Sequence, residues 1–151
     1  MIQQNNPKEP SFWGRLLMVG LPGPRVDPVA REMVRDLQVG GIILFARNIE
    51  NPEQVWELCR DLQQEALAAT GRPLLISVDQ EGGPVQRLQA PFTIIPPARK
   101  LGITATPEEV EDLSRRVARE LALVGINMNL APDPDMATQL WLDSPGPDLI
   151  E

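Results

Sequence analysis

The sequence contains no histidine. Within these residues that absence excludes every imidazole-based catalytic arrangement, including Ser/His/Asp and Cys/His nucleophile systems, and the usual imidazole-rich zinc sites. Chemistry must come from carboxylates, arginines, amides or backbone. Cysteine is almost absent: Cys59 stands alone, so no intrachain disulfide can form, and a reduced cytoplasmic setting is expected. No apolar run approaches the ~18 residues of a membrane span, and the N-terminal stretch MIQQNNPKEPSFWGRLLMVGLPG lacks a basic segment followed by an apolar one. Neither a signal peptide nor an anchor is expected, hence no membrane partner. Basic runs are missing too. The 14 Lys and Arg are scattered against 21 Asp and Glu, and a net charge of -7 argues against nucleic acid or an anionic surface as partner.

What is present is the composition of a globular domain, 42% hydrophobic and 23% charged across 151 residues. Residues 1–12 are polar with two prolines and are expected to be a loose lead-in. Short apolar runs at 16–19, 41–45, 74–78 and 126–130 are bounded by Gly or Pro, as buried strands are. Between them, Asp27-Pro28, Asn51-Pro52 and Thr106-Pro107 each set a capping side chain before a proline at the first helical position. Asn51 with Gln54 and Thr106 with Glu109 have capping-box spacing. Val55, Leu58, Leu62 and Ala66 give the second helix an apolar face, and Val110, Leu113, Val117, Leu121 and Val124 give the third one. Gly40 and Gly125 are placed to stop the first and third helices.

The order β-α-β-α-β-long loop-α-β, with strands buried on both sides, predicts a parallel α/β sheet. An open doubly wound sheet and a (β/α)8 barrel both use this order, and a barrel needs roughly 250 residues, so four strands are about half of one. Residues 79–105 make a connection far longer than the ~2 to 6 residues usual for a βα loop. It leaves from the carboxyl end of a strand, where both architectures place ligands.

That connection begins in LLISVDQEGGPVQRL, residues 74–88. Asp79 follows the strand directly, Gly82 and Gly83 permit a sharp turn or close approach to a ligand, and Arg87 offers a planar fork of donors. An acceptor and a donor at fixed separation would clamp a polyol. A turn-capping Asp and a solvated Arg would look the same. Arg47 and Asn48 in LFARN leave the second strand at the same end, where a plain turn is the alternative. Asp133 and Asp135 follow the fourth strand; paired acids suit magnesium or a glycosidase carboxylate pair, and Pro132 before them with Pro134 between them suits a solvated turn. GLPGP at 20–24 matches neither a dinucleotide nor a phosphate loop, Lys8 and Lys100 lie in no predicted strand, and Cys59 and Trp56 fit packing.

LLISVDQEGGPVQRL, with GGIILFARNIENPEQV before it and GINMNLAPDPDM after, resembles the N-terminal barrel of family 3 glycoside hydrolases. DQEGG followed by VQR resembles the β-N-acetylhexosaminidase branch, and the likeness runs from about residue 15 to 136. The implied fold is α/β, the first half, about four βα units, of a TIM-type (β/α)8 barrel. Residues 13–136 would be the partial barrel and 137–151 a non-matching tail. The implied reaction is retaining hydrolysis of terminal N-acetylglucosaminides, such as peptidoglycan fragments, through a glycosyl-enzyme on an aspartate, with no metal or organic cofactor. Asp79 and Arg87 take the places of the residues that bind sugar hydroxyls, supported by Arg47, Asn48, Gln80, Glu81, Gly82, Gly83 and Asp135.

Pro84 replaces an arginine usual in the family motif, and of APVLDV only Ala131, Pro132 and Asp135 match. The branch's general acid is a His on a later loop and its nucleophile an Asp on a still later one. With no His in these residues, no catalytic residue can be assigned. The resemblance therefore implies a fragment, truncated or frame-shifted near residue 137, inactive alone and prone to self-association through half-barrel edges. A non-catalytic carbohydrate-binding or interaction module and a non-functional remnant are the alternatives.

Overall fold

The computed structural model describes residues 13–132; the expected lead-in, the tail and the acids Asp133 and Asp135 lie outside them. Four strands, β1 (Met18–Gly20), β2 (Gly41–Leu44), β3 (Leu75–Val78) and β6 (Met128–Asn129), form one parallel sheet in chain order. Helices α1 (Pro28–Arg35), α2 (Pro52–Thr70) and α4 (Pro107–Leu123) connect them, giving a partial TIM-type barrel.

The helix starts form where the capping side chains predict. Asp27 Oδ1 accepts from Ala30 N–H and Asn51 Oδ1 from Gln54 N–H, both at 2.8 Å. Thr106 and Glu109 close a reciprocal box. The second expected box does not close: Gln54 Oε1 accepts from Glu50 N–H, because its Nε2 is drawn inward to the carbonyls of Pro24 and Asn48.

Gly125 ends α4 as expected, at φ 86°, with Gly125 N–H to Ala122 O and Ile126 N–H to Leu121 O. Gly40 does not end α1, which stops at Arg35. The left-handed residue there is Gln38, and Gly40 is needed because a Cβ at that position would lie 2.0 Å from the Arg15 carbonyl oxygen.

Ala30 and Val34 of α1, Val55, Leu58, Leu62 and Ala66 of α2, and Val117 and Leu121 of α4 share one core with Ile42, Leu44, Ile76 and Val78. Strands buried on both sides are expected; β2 and most of β3 are, with Ser77 fully buried on the face opposite Ile76 and Val78, and the expectation fails at Leu75, 51% exposed, and in β6, where Met128 is 36% exposed. The core gathers the helices against one face, and on the other face Gly41 and Ser77 are buried while Leu75 and Met128 remain exposed among the described residues.

The long connection after β3 also has structure of its own. Residues β4 (Gln80–Gly82) and β5 (Val85–Gln86) pair as an antiparallel ribbon, and α3 (Ala98–Thr104) precedes α4.

Candidate functional site

The ribbon explains the spacing of Asp79 and Arg87. Gln80 pairs with Gln86, so the residues just outside that pair face each other across the ribbon's open end. Arg87 Nη2 donates to Asp79 Oδ2 at 3.1 Å, with the side chains 27% and 21% exposed. Arg87 Nε is sequestered without a hydrogen-bond partner among the described residues, so the guanidinium is only partly satisfied there. A carboxylate acceptor and a cationic donor thus stand side by side, reachable from solvent, at the carboxyl end of β3.

Gly82 and Gly83 make the ribbon's turn, at φ 100° and 56°. Their close approach is to protein: a Cβ on Gly82 would lie 2.7 Å from Pro96 O, and one on Gly83 2.9 Å from Pro97 Cγ. Of the two uses the sequence allowed, the structure displays the turn.

Two buried glutamines hold the segment that follows. Gln80 Oε1 accepts from Arg87 and Leu88 N–H, and its Nε2 donates to Leu88 O, all at 3.0 Å. Gln86 Oε1 accepts from Ile95 N–H at 2.8 Å while its Nε2 donates to Leu88 O. Glu120 on α4 accepts from both the N–H and the hydroxyl of Thr93, at 2.8 and 2.6 Å.

Arg47 and Asn48 build the neighbouring wall. They lie in a 3-10 turn, Ala46–Asn48, directly after β2. Arg47 Nε donates to Leu21 O at 2.8 Å, and its guanidinium stacks over Phe45 at 4.7 Å. Asn48 is fully buried; its Nδ2 donates to Leu21 O and Gly23 O, and its Oδ1 accepts from Phe45 N–H. Its amide therefore ties the loop after β1 to the loop after β2. Glu81 is half-buried and, with Gln80, borders an apolar cavity of about 510 Å³ between α3, α4 and β6. Asp135 lies outside the described residues.

Neither that cavity nor the larger one of about 610 Å³ between α1 and α2 includes Asp79 or Arg87. The larger is an ion-pair zone in which Glu65 meets Arg31 and Arg35. Burial there would raise the Glu65 carboxyl, and the two guanidiniums together outweigh it and hold the carboxyl below its ordinary range. Burial pushes the Cys59 thiol up to about 12, which removes it as a nucleophile. No cluster of three or more His, Cys, Asp or Glu suited to a metal ion occurs among the described residues.

Sequence reasoning missed Asn129 and Glu120. The signal for the first was the alternation Asn127, Asn129 in a strand, where asparagine is disfavoured unless its side chain has a partner. Asn127 Oδ1 accepts from Ile76 N–H, and Asn129 Oδ1 accepts from Gln80 N–H.

Comparison with known proteins bears on the family and the fold. The family described as the glycosyl hydrolase family 3 N terminal domain matches residues 13–140. A beta-hexosaminidase of Pseudomonas aeruginosa is 40% identical over 124 residues, covering 82% of this chain and 36% of that protein. Among solved structures, a glycoside hydrolase family 3 beta-N-acetylglucosaminidase from Paenibacillus is 42% identical with a TM-score of 0.76, over 79% of this chain and 23% of that one. NagZ from Neisseria gonorrhoeae, solved with N-trifluoroacetyl-D-glucosamine, is 29% identical with a TM-score of 0.65, over 77% of this chain and 35% of that one. The chain thus spans about a third of the length of the curated relatives it matches.

Proposed function

The chain belongs to the glycosyl hydrolase family 3 N-terminal domain family, and from that premise we propose that residues 13–136 supply one wall of the sugar subsite of a β-N-acetylhexosaminidase-type glycosidase. Asp79 accepts from, and Arg87 donates to, hydroxyls of a terminal N-acetylglucosamine. The observation that carries this reading is the Asp79–Arg87 pair, 3.1 Å apart and partly exposed at the carboxyl end of β3. A carboxylate and a guanidinium in contact are each ready to exchange one partner for a vicinal hydroxyl. The names of the relatives, beta-hexosaminidase and beta-N-acetylglucosaminidase, support the choice of sugar.

Retaining hydrolysis needs a proton donor for the leaving oxygen and a carboxylate nucleophile about 5 to 5.5 Å from it. In this reading Asp79 holds a sugar hydroxyl beside Arg87, and these residues include no histidine to serve as the acid. In this reading the 151-residue polypeptide by itself holds sugar and does not cleave it, which makes a binding module the second reading. The exposed Leu75 and Met128, with β1 and β6 at the sheet's edges among the described residues, support self-association of the isolated polypeptide.

Calorimetric titration of N-acetylglucosamine tests the reading, with a chromogenic N-acetylglucosaminide assayed in parallel. Binding that disappears in Asp79→Ala, without hydrolysis, is the expected result. Unchanged affinity in Asp79→Ala would remove Asp79 from the site, and turnover by the wild-type polypeptide would overturn the claim of inactivity.

A further inference from the structure

A long arginine side chain presents its fork at a fixed place only when its backbone is fixed. Gln80, 3% exposed, does this for Arg87. Its carbonyl oxygen takes the N–H groups of Arg87 and Leu88, and its amide nitrogen returns a bond to Leu88 O. Gln80 is itself held from the sheet edge: Asn129 Oδ1 accepts from Gln80 N–H at 3.1 Å, and Asn129 Nδ2 donates to Gln80 O at 3.3 Å. We propose that Gln80 is a positioning residue for Arg87, seated by Asn129, so that β6 sets the geometry of the Asp79–Arg87 clamp through one buried amide.

The inference rests on the sugar-clamp reading for its functional meaning and on hydrogen bonds alone for its geometry. Gln80 borders the site in sequence, yet its three side-chain bonds all go to the backbone of residues 87 and 88. It acts on a ligand through Arg87. Gln80→Leu keeps much of the side-chain volume and removes all three bonds; Asn129→Ala removes the two that seat Gln80 from an exposed position.

The test combines two readouts on the whole polypeptide. The first is the Arg87 Nε–H signal in nitrogen-proton NMR, with Asp79→Asn marking the shift caused by a broken clamp. In Gln80→Leu the signal moves in the direction Asp79→Asn moves it, and its hydrogen exchange quickens by roughly tenfold, while amides of α1 and α2 keep their protection. The second is calorimetric affinity for N-acetylglucosamine, which weakens by roughly tenfold in Gln80→Leu. Asn129→Ala shifts both readouts the same way by less, and it carries the test if Gln80→Leu does not fold. An Arg87 signal unchanged in both variants overturns the positioning role. A changed signal with unchanged sugar affinity overturns its bearing on binding. Absence of sugar binding in the wild type sinks the clamp reading instead, and the NMR arm still decides whether Gln80 positions Arg87.

Discussion

Asp79 and Arg87 are eight residues apart in the chain and 3.1 Å apart in space, because the ribbon between them pairs Gln80 with Gln86. A partly buried ion pair that solvent still reaches is worth on the order of 1 kcal/mol to folding. In the proposed sugar subsite, its placement at a strand's carboxyl end would matter more for recognition than for stability.

Arg87→Lys keeps the positive charge and loses the fork, which a single ammonium cannot replace where a carboxylate and a hydroxyl are held together. Unfolding free energy should change by less than ~1 kcal/mol, while affinity for N-acetylglucosamine should fall by roughly tenfold. Chemical denaturation and calorimetry on one preparation check both. Equal affinity in the lysine variant would show that the fork is not used.

Asn48→Ala should cost roughly 2–4 kcal/mol, because loss of a fully buried amide leaves Gly23 O and Phe45 N–H without their partner and leaves Leu21 O with Arg47 Nε alone. Urea denaturation measures the loss. Asn48→Asp should be no milder, since a carboxylate oxygen would then face two carbonyls that need a donor. A change below ~0.5 kcal/mol in the alanine variant would mean the loops after β1 and β2 are joined some other way.

Glu65 gives the expected pH dependence. Its folded-state carboxyl is held below the ordinary 4.5 by Arg35 and Arg31 against the opposing effect of burial. A carboxyl lowered on folding contributes stability above its unfolded value and loses it as pH falls through the folded one. Glu65→Gln should therefore be less stable than wild type at neutral pH, and the gap should close in acid below both values. Denaturation curves across pH show this directly; a gap that persists or widens in acid would reverse the assignment.

Cys59, with its thiol pushed up to about 12 and its side chain buried beneath α2, should resist a thiol-specific disulfide reagent at pH 8 in the folded chain. It should react at once in denaturant. Rapid labelling without denaturant would mean that this part of the core opens locally.

The parts legible in the sequence are those governed by neighbours a few residues apart. Asp27, Asn51 and Thr106 cap helices because a short polar side chain can reach an N–H three residues on. Alternation of short apolar runs with periodic segments revealed a parallel sheet because each strand and helix must bury one face. The same local reasoning misjudged Gln54 and Gly40. Their partners, Pro24 O for the first and the Arg15 carbonyl beside the second, come from distant parts of the chain.

The sequence by itself determined the helix starts, the βα order and the acid and arginine flanking a pair of glycines. Tertiary structure alone decided that residues 80–86 form a ribbon, that Asn48 is consumed in the wall, and that Asn129 reaches Gln80 across 49 positions of chain. The reason is the directionality of buried polar groups. An apolar pattern says that a residue goes inside, and only the folded backbone says which donor or acceptor awaits it.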